Sequence, residues 1–132
     1  MTNRPAIDLV YFANGYNIAR LRGDINRETV FGSDKFAGIG GLPGYVHEFH
    51  RDITEMKLPF GIDLTNCKIK SSPVVALMAD AYRLNGNNKF PLVCDEETEK
   101  HMKLFGAQIL VNFYRTADEI LTSFQSGQTA QA

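Results

Sequence analysis

Residues 71–86 read Ser-Ser-Pro-Val-Val-Ala-Leu-Met-Ala-Asp-Ala-Tyr-Arg-Leu-Asn-Gly, and this stretch decides the fold. Ser72 can cap a helix, Pro73 suits a first helical position that needs no N–H, and Gly86 can take the left-handed stop. Val74, Val75, Met78, Ala81 and Tyr82 form one helical stripe, and Ala76, Leu77 and Leu84 widen it until only Asp80 and Arg83 are charged. A helix apolar around most of its circumference must be covered from several sides. The stretch therefore predicts a helix at 72–85 that is either the central post of a core or part of a subunit contact.

Upstream, residues 6–13 (Ala-Ile-Asp-Leu-Val-Tyr-Phe-Ala) are rich in β-formers and run directly into Asn14-Gly15. That dipeptide suits a type I′ turn, whose two central residues both need positive φ. A two-residue loop sets Ala13 opposite Tyr16, Tyr11 opposite Ile18 and Leu9 opposite Arg20. The first strand is apolar on both faces, which predicts a central place in its sheet. A short helix over Tyr16 to Arg22 is the competing reading of Ile18, Ala19 and Leu21. Glu28 to Phe31 reads as a third short strand. Leu42, Tyr45, Val46, Phe49, Ile53 and Met56 then recur at helical spacing and predict an amphipathic helix over 43–57.

Residues 60–70 hold an extended candidate from Ile62 to Leu64 or on to Ile69, and Phe90 to Cys94 reads as a strand entering a helix. Asp95, Glu96, Glu97 and Glu99 place acid at that helix's partly positive start, and Glu96/Lys100 and Glu99/Lys103 pair along it. Beyond a break near Gly106, Leu110, Phe113, Ala117, Ile120, Leu121 and Phe124 keep a helical period. A strand at 108–114 is the alternative, and Thr116-x-x-Glu119 suits a fresh capping box. The sum is a single α+β domain over 1–132. It has a small N-terminal antiparallel sheet with its hairpin at Asn14-Gly15, packed against three or four helices, with helix 72–85 largely buried. Residues 1–5 and 126–132 read as disordered tails.

The 132 residues carry 14 Lys and Arg against 15 Asp and Glu, a net charge of −1, so no overall field draws the chain to nucleic acid or anionic lipid. Arg20, Arg22, Arg27, Lys68 and Lys70 could share a sheet face, and that is the whole case for nucleic acid. Cys67 and Cys94 match no metal or redox spacing and are too few for a disulfide framework, which predicts a reducing, cytoplasmic setting. No signal-peptide core or membrane-length apolar run is present. No motif implies a metal or cofactor.

Gly38-Ile39-Gly40-Gly41-Leu42-Pro43-Gly44 feeds straight into a helix start, where unpaired N–H groups can meet an anion. Lys35 lies close in sequence, and Arg20 and Arg22 converge on the loop if the hairpin packs beside it. The spacing fits neither nucleotide-binding glycine fingerprint. His47 and His50 sit one turn apart on a polar helix face, at a spacing that argues against a paired metal site and for exposed residues that tune an interface. Tyr16 and Phe36 stand at loop edges as candidates for partner contact. No nucleophile, base and orienting group come together, so catalytic residues are not assigned. The reading is a non-enzymatic interaction module that binds another protein and self-associates, most simply as a dimer. The alternative is an enzyme or binding protein that holds a phosphate-bearing small molecule at loop 32–44.

Overall fold

The computed structural model of the protein describes residues 4–13, 15–32, 44–57, 59–69 and 72–120. Within them the chain runs β1 (Ala6–Ala13), β2 (Tyr16–Ile25), α1 (Arg27–Phe31), α2 (Tyr45–Glu55), β3 (Phe60–Ile69), α3 (Pro73–Leu84), β4 (Phe90–Val93), α4 (Glu96–Leu104), a 3-10 turn at Ala107–Ile109 and β5 (Val111–Tyr114). A further helical turn occupies 117–120. The five strands form one sheet in the order β1-β2-β3-β4-β5. The first pair is antiparallel and the other three are parallel.

This mixed five-stranded sheet replaces the small antiparallel sheet expected at the N-terminus. Parallel neighbours need a crossover, and α2, α3 and α4 supply one at each step from β2 to β5. The inner strands are wrapped on both faces, so all four residues of β4 and the first five of β3 are buried. Helices α1 to α4 share one face of the sheet. Val30 of α1, Phe49 and Ile53 of α2, Leu77 and Met78 of α3 and Met102 of α4 join Leu21, Ile62, Leu92 and Val111 in a single core. On the opposite face Ile120 covers Ile18 and Val93, with Tyr11, Tyr16 and Tyr114 around them.

The hairpin keeps the expected register, with Ala13 opposite Tyr16, Tyr11 opposite Ile18 and Leu9 opposite Arg20. Its first strand is not central, however. β1 is an edge, and Leu9, Val10 and Phe12 are left exposed while Ile7, Tyr11 and Ala13 are partly covered. Residues 28–31 lie in α1 rather than a strand, because Asn26 and Thr29 form a reciprocal cap, each backbone N–H meeting the other's side chain at 3.0 Å. After Gly106 the favoured helix gives way to the alternative strand, and helix resumes only at 117–120. Val111 to Tyr114 pair with Phe90 to Val93 along the far edge. The β-prone run Val-Asn-Phe-Tyr thus found backbone partners, and its apolar spacing mimicked a helix only because Leu110 and Phe113 lie three apart.

α3 starts at Pro73 as expected, although Ser72 makes no side-chain capping bond. Leu77, Met78 and Val74 are fully buried against the sheet and α2. Val75, Tyr82 and Leu84 pack partly buried against the same core, so α3 serves as its post with one side only half covered. Asp80, one of its two charges, is 6% exposed. Of the expected tails, Arg4 pairs with Glu48 at 2.7 Å and Pro5 is buried, while 1–3 and 126–132 lie outside the described residues. Cys67 and Cys94 are free thiols. Among the described residues no helix is long and apolar enough to cross a membrane.

Candidate interaction surface

β1 is the long edge of the sheet, eight residues against four for β5 at the other side. Natural edges are usually blunted by Lys, Pro, brevity or a strong twist, because unpaired N–H and C=O groups invite another strand. Between Ala6 and Ala13 there is no Lys and no Pro, and the one charge is Asp8. Leu9, Val10 and Phe12 are 43%, 52% and 72% exposed. By the alternation of the strand, Val10 and Phe12 stand on one face and Leu9 on the other. The edge is therefore apolar above and below an exposed backbone.

Two irregularities lie side by side across β2. Opposite Arg20 and Leu21, β1 holds one extra residue between Ile7 and Leu9, and β3 holds one between Asp63 and Asn66. Bulges of this kind bend a strand and re-aim its side chains. On β3 the cause is local: Asp63 Oδ1 accepts from the Thr65 N–H at 2.9 Å and the Thr65 hydroxyl at 2.6 Å, offering the backbone a turn in place of the ladder. The re-aimed groups then tie the edge strand down. Tyr11 reaches across β2 to donate to Asp63 Oδ2 at 2.8 Å. Asp8 accepts from Arg20 Nε at 2.9 Å and from Asn66 Nδ2 at 3.3 Å.

The electrostatics follow from these partners. The Arg20 guanidinium holds the Asp8 carboxyl below its ordinary range, and Asp8 in turn raises Arg20. Burial, and then the Asp63 carboxylate beside it, push the Tyr11 phenol upward. Asp63 is 6% exposed and fully supplied with donors. The single charge of β1 is thereby neutralised inside the network and does not guard the free edge. β1 is thus tied to the sheet from its inner side, while Leu9, Val10 and Phe12 remain exposed.

The residues singled out from the sequence scatter over the molecule. Arg20 and Arg22 lie on the sheet, Arg20 bonded to Asp8 and Arg22 opposite the neutral Asn66 and close enough to Asp8 to help lower its carboxyl. Lys68 stands opposite Asp24. The basic residues of that sheet region are thus interleaved with acids. Gly44 is buried, and a Cβ there would collide with the Val30 carbonyl oxygen, so close packing of α2 on α1 accounts for this glycine. Lys35, Phe36, Gly38, Gly40, Gly41 and Lys70 lie outside the described residues. Tyr16 is half-buried beside Ile18 and Ile120 rather than projecting. His47 is exposed, whereas His50 Nδ1 lies 2.9 and 3.0 Å from the two oxygens of Asp80, joining α2 to α3. Sequence reasoning missed Asp63 and Tyr11, which are 52 residues apart and carry no shared motif.

Elsewhere, a recess of about 420 Å³ opens between the C-terminal half of β3 and the start of α4. Lys68 and His101 line it together with Asp95 and Glu97. Among the described residues no three His, Cys, Asp or Glu side chains come together as a metal site. Burial pushes Cys67, which also lines the recess, up to about 12, so its thiol stays protonated and unreactive near neutrality. Compared with known proteins, the chain matches no family model, and no curated protein shows significant similarity to it.

Proposed function

We propose that the protein is a non-enzymatic interaction module that takes an extended segment of another polypeptide onto the free edge of β1. The observation that carries this reading is the exposure of Val10 and Phe12 on a long edge strand without Lys or Pro. Main-chain hydrogen bonds supply affinity in such an arrangement, and side-chain contacts at alternate positions supply selectivity. The ties from Tyr11 and Asp8 to β3 hold the edge in place before a partner arrives, which reduces the entropy lost on binding.

The test is a backbone substitution. In the antiparallel ladder closed by Ala13 and Tyr16, alternation turns the N–H of Val10 away from β2. Val10→Pro removes that donor from an edge that tolerates proline and leaves β2 paired. A displayed random-peptide library panned against the protein should yield extended, alternately apolar peptides whose binding falls at least about tenfold with Val10→Pro. That loss corresponds to about 1.4 kcal/mol, the scale of one or two hydrogen bonds. No selected peptides, or peptides that bind the proline variant equally well, would remove the basis of the proposal.

A further inference from the structure

We infer that the strand received by the β1 edge is β1 of a second copy, paired antiparallel about a two-fold axis through Tyr11. The inference rests on the strand-addition reading above and names the partner for it. Self-pairing of an edge is usually prevented by charge, because a two-fold axis brings each side chain close to its own copy. Here Asp8 is the only charge in the strand and is bonded to Arg20 and Asn66. Nothing charged remains between Leu9 and Ala13 to repel its twin. The net charge of −1 adds almost no repulsion between whole molecules.

The geometry also selects a register. Antiparallel partners must face the same side of the sheet, and the outward-pointing backbone groups belong to Val10 and Phe12. With Tyr11 opposite Tyr11 of the second copy, Val10 meets Phe12 twice, once on each side of the axis. Both are more than half exposed in the single chain, and an aromatic beside a β-branched residue is a favourable cross-strand pair. Leu9 falls opposite Ala13 on the other face, together with the tyrosines. The Asp8 bulge lies just beyond the paired stretch, so the irregular part of β1 is not asked to pair. The alternative register, centred on Val10, would set exposed Phe12 against that bulge. Pairing in the favoured register joins two five-stranded sheets into one of ten strands.

Sedimentation equilibrium across a concentration series reads the oligomeric state of the full chain. The wild type should be a reversible dimer, and Phe12→Lys should raise the dissociation constant by about tenfold or more, since two copies of the pair are lost. Phe12 is 72% exposed in the single chain, so the thermal midpoint should hardly move when both proteins are measured dilute enough to be monomeric. Val10→Glu combined with Phe12→Lys should restore the dimer, because the register sets the introduced carboxylate of one copy against the introduced ammonium of the other on both sides of the axis. Without that rescue the register is wrong. A dimer unaffected by Phe12→Lys would place the contact elsewhere and overturn the inference. A monomeric wild type that still binds library peptides in a manner sensitive to Val10→Pro would overturn the second copy alone and leave strand addition standing.

Discussion

Asp63 shows how much a single residue can settle. It lies in the middle of β3, where burial on both faces favours apolar residues, yet it keeps three donors on its two oxygens. Thr65 bends the strand and Tyr11 ties in the edge, so one carboxylate links the bulge to the presentation of β1. If Tyr11 and Asp63 act as a pair, Tyr11→Phe and Asp63→Asn should not be additive. A double-mutant cycle by urea unfolding should give a coupling of about 0.5–1.5 kcal/mol. Additivity within about 0.3 kcal/mol would mean that the 2.8 Å contact holds nothing. None of this could be read from the sequence. The hydrogen bond joins positions 52 apart, and nothing local to Tyr11 or to Asp63 marks the other.

Among the elements, those whose signals are local were legible and those that depend on distant partners were not. Asn14-Gly15 set the register of the hairpin, the Pro73 to Gly86 signals bounded α3, and Asp95 opens α4 by accepting from the Thr98 N–H at 2.7 Å. Residues 108–114 read as a favoured helix with a strand as the alternative, and only β4 beside them decides for the strand at Val111 to Tyr114. α2 was found by its apolar period, but the role of its polar face depended on what packs against it. His47 and His50 look alike in sequence, and only His50 meets a buried partner. Removing it leaves the Asp80 carboxylate with Arg83 alone, whose side chain is 69% exposed. His50→Ala should therefore cost about 0.5–1.5 kcal/mol in denaturant unfolding, since its side chain is 55% exposed and Arg83 remains on Asp80, and His47→Ala should stay within about 0.5 kcal/mol. Equal effects would show that the α2–α3 contact does not depend on this pair.

At the scale of the whole molecule, the mixed sheet was hidden because three parallel steps need crossovers that no short window of sequence reveals. The same sheet sets how stability responds to pH. Arg20 lowers Asp8, the Thr98 N–H lowers Asp95, and Lys103 with Arg115 lower Glu99. For these acids the unfolded chain takes up protons first, so their stabilisation is complete above the ordinary carboxylate range and is lost as pH falls through it. The alkaline limb has the opposite origin. Burial raises Cys67 and Cys94 to about 12, whereas an unfolded thiol ionises near about 8.5. Between those limits the folded chain keeps protons that the unfolded chain releases, so stability declines as pH rises. The slope approaches about 1.4 kcal/mol per pH unit for each thiol. Urea midpoints measured at pH 7, 9 and 10.5 should fall along that limb, and Cys67→Ala with Cys94→Ala should flatten it. Tyr11, Tyr16 and Tyr45, all raised mainly by burial, would then leave a later decline above the ordinary tyrosine range, near about 10. An alkaline limb unchanged by the double substitution would show that the thiols are not what the folded sheet protects.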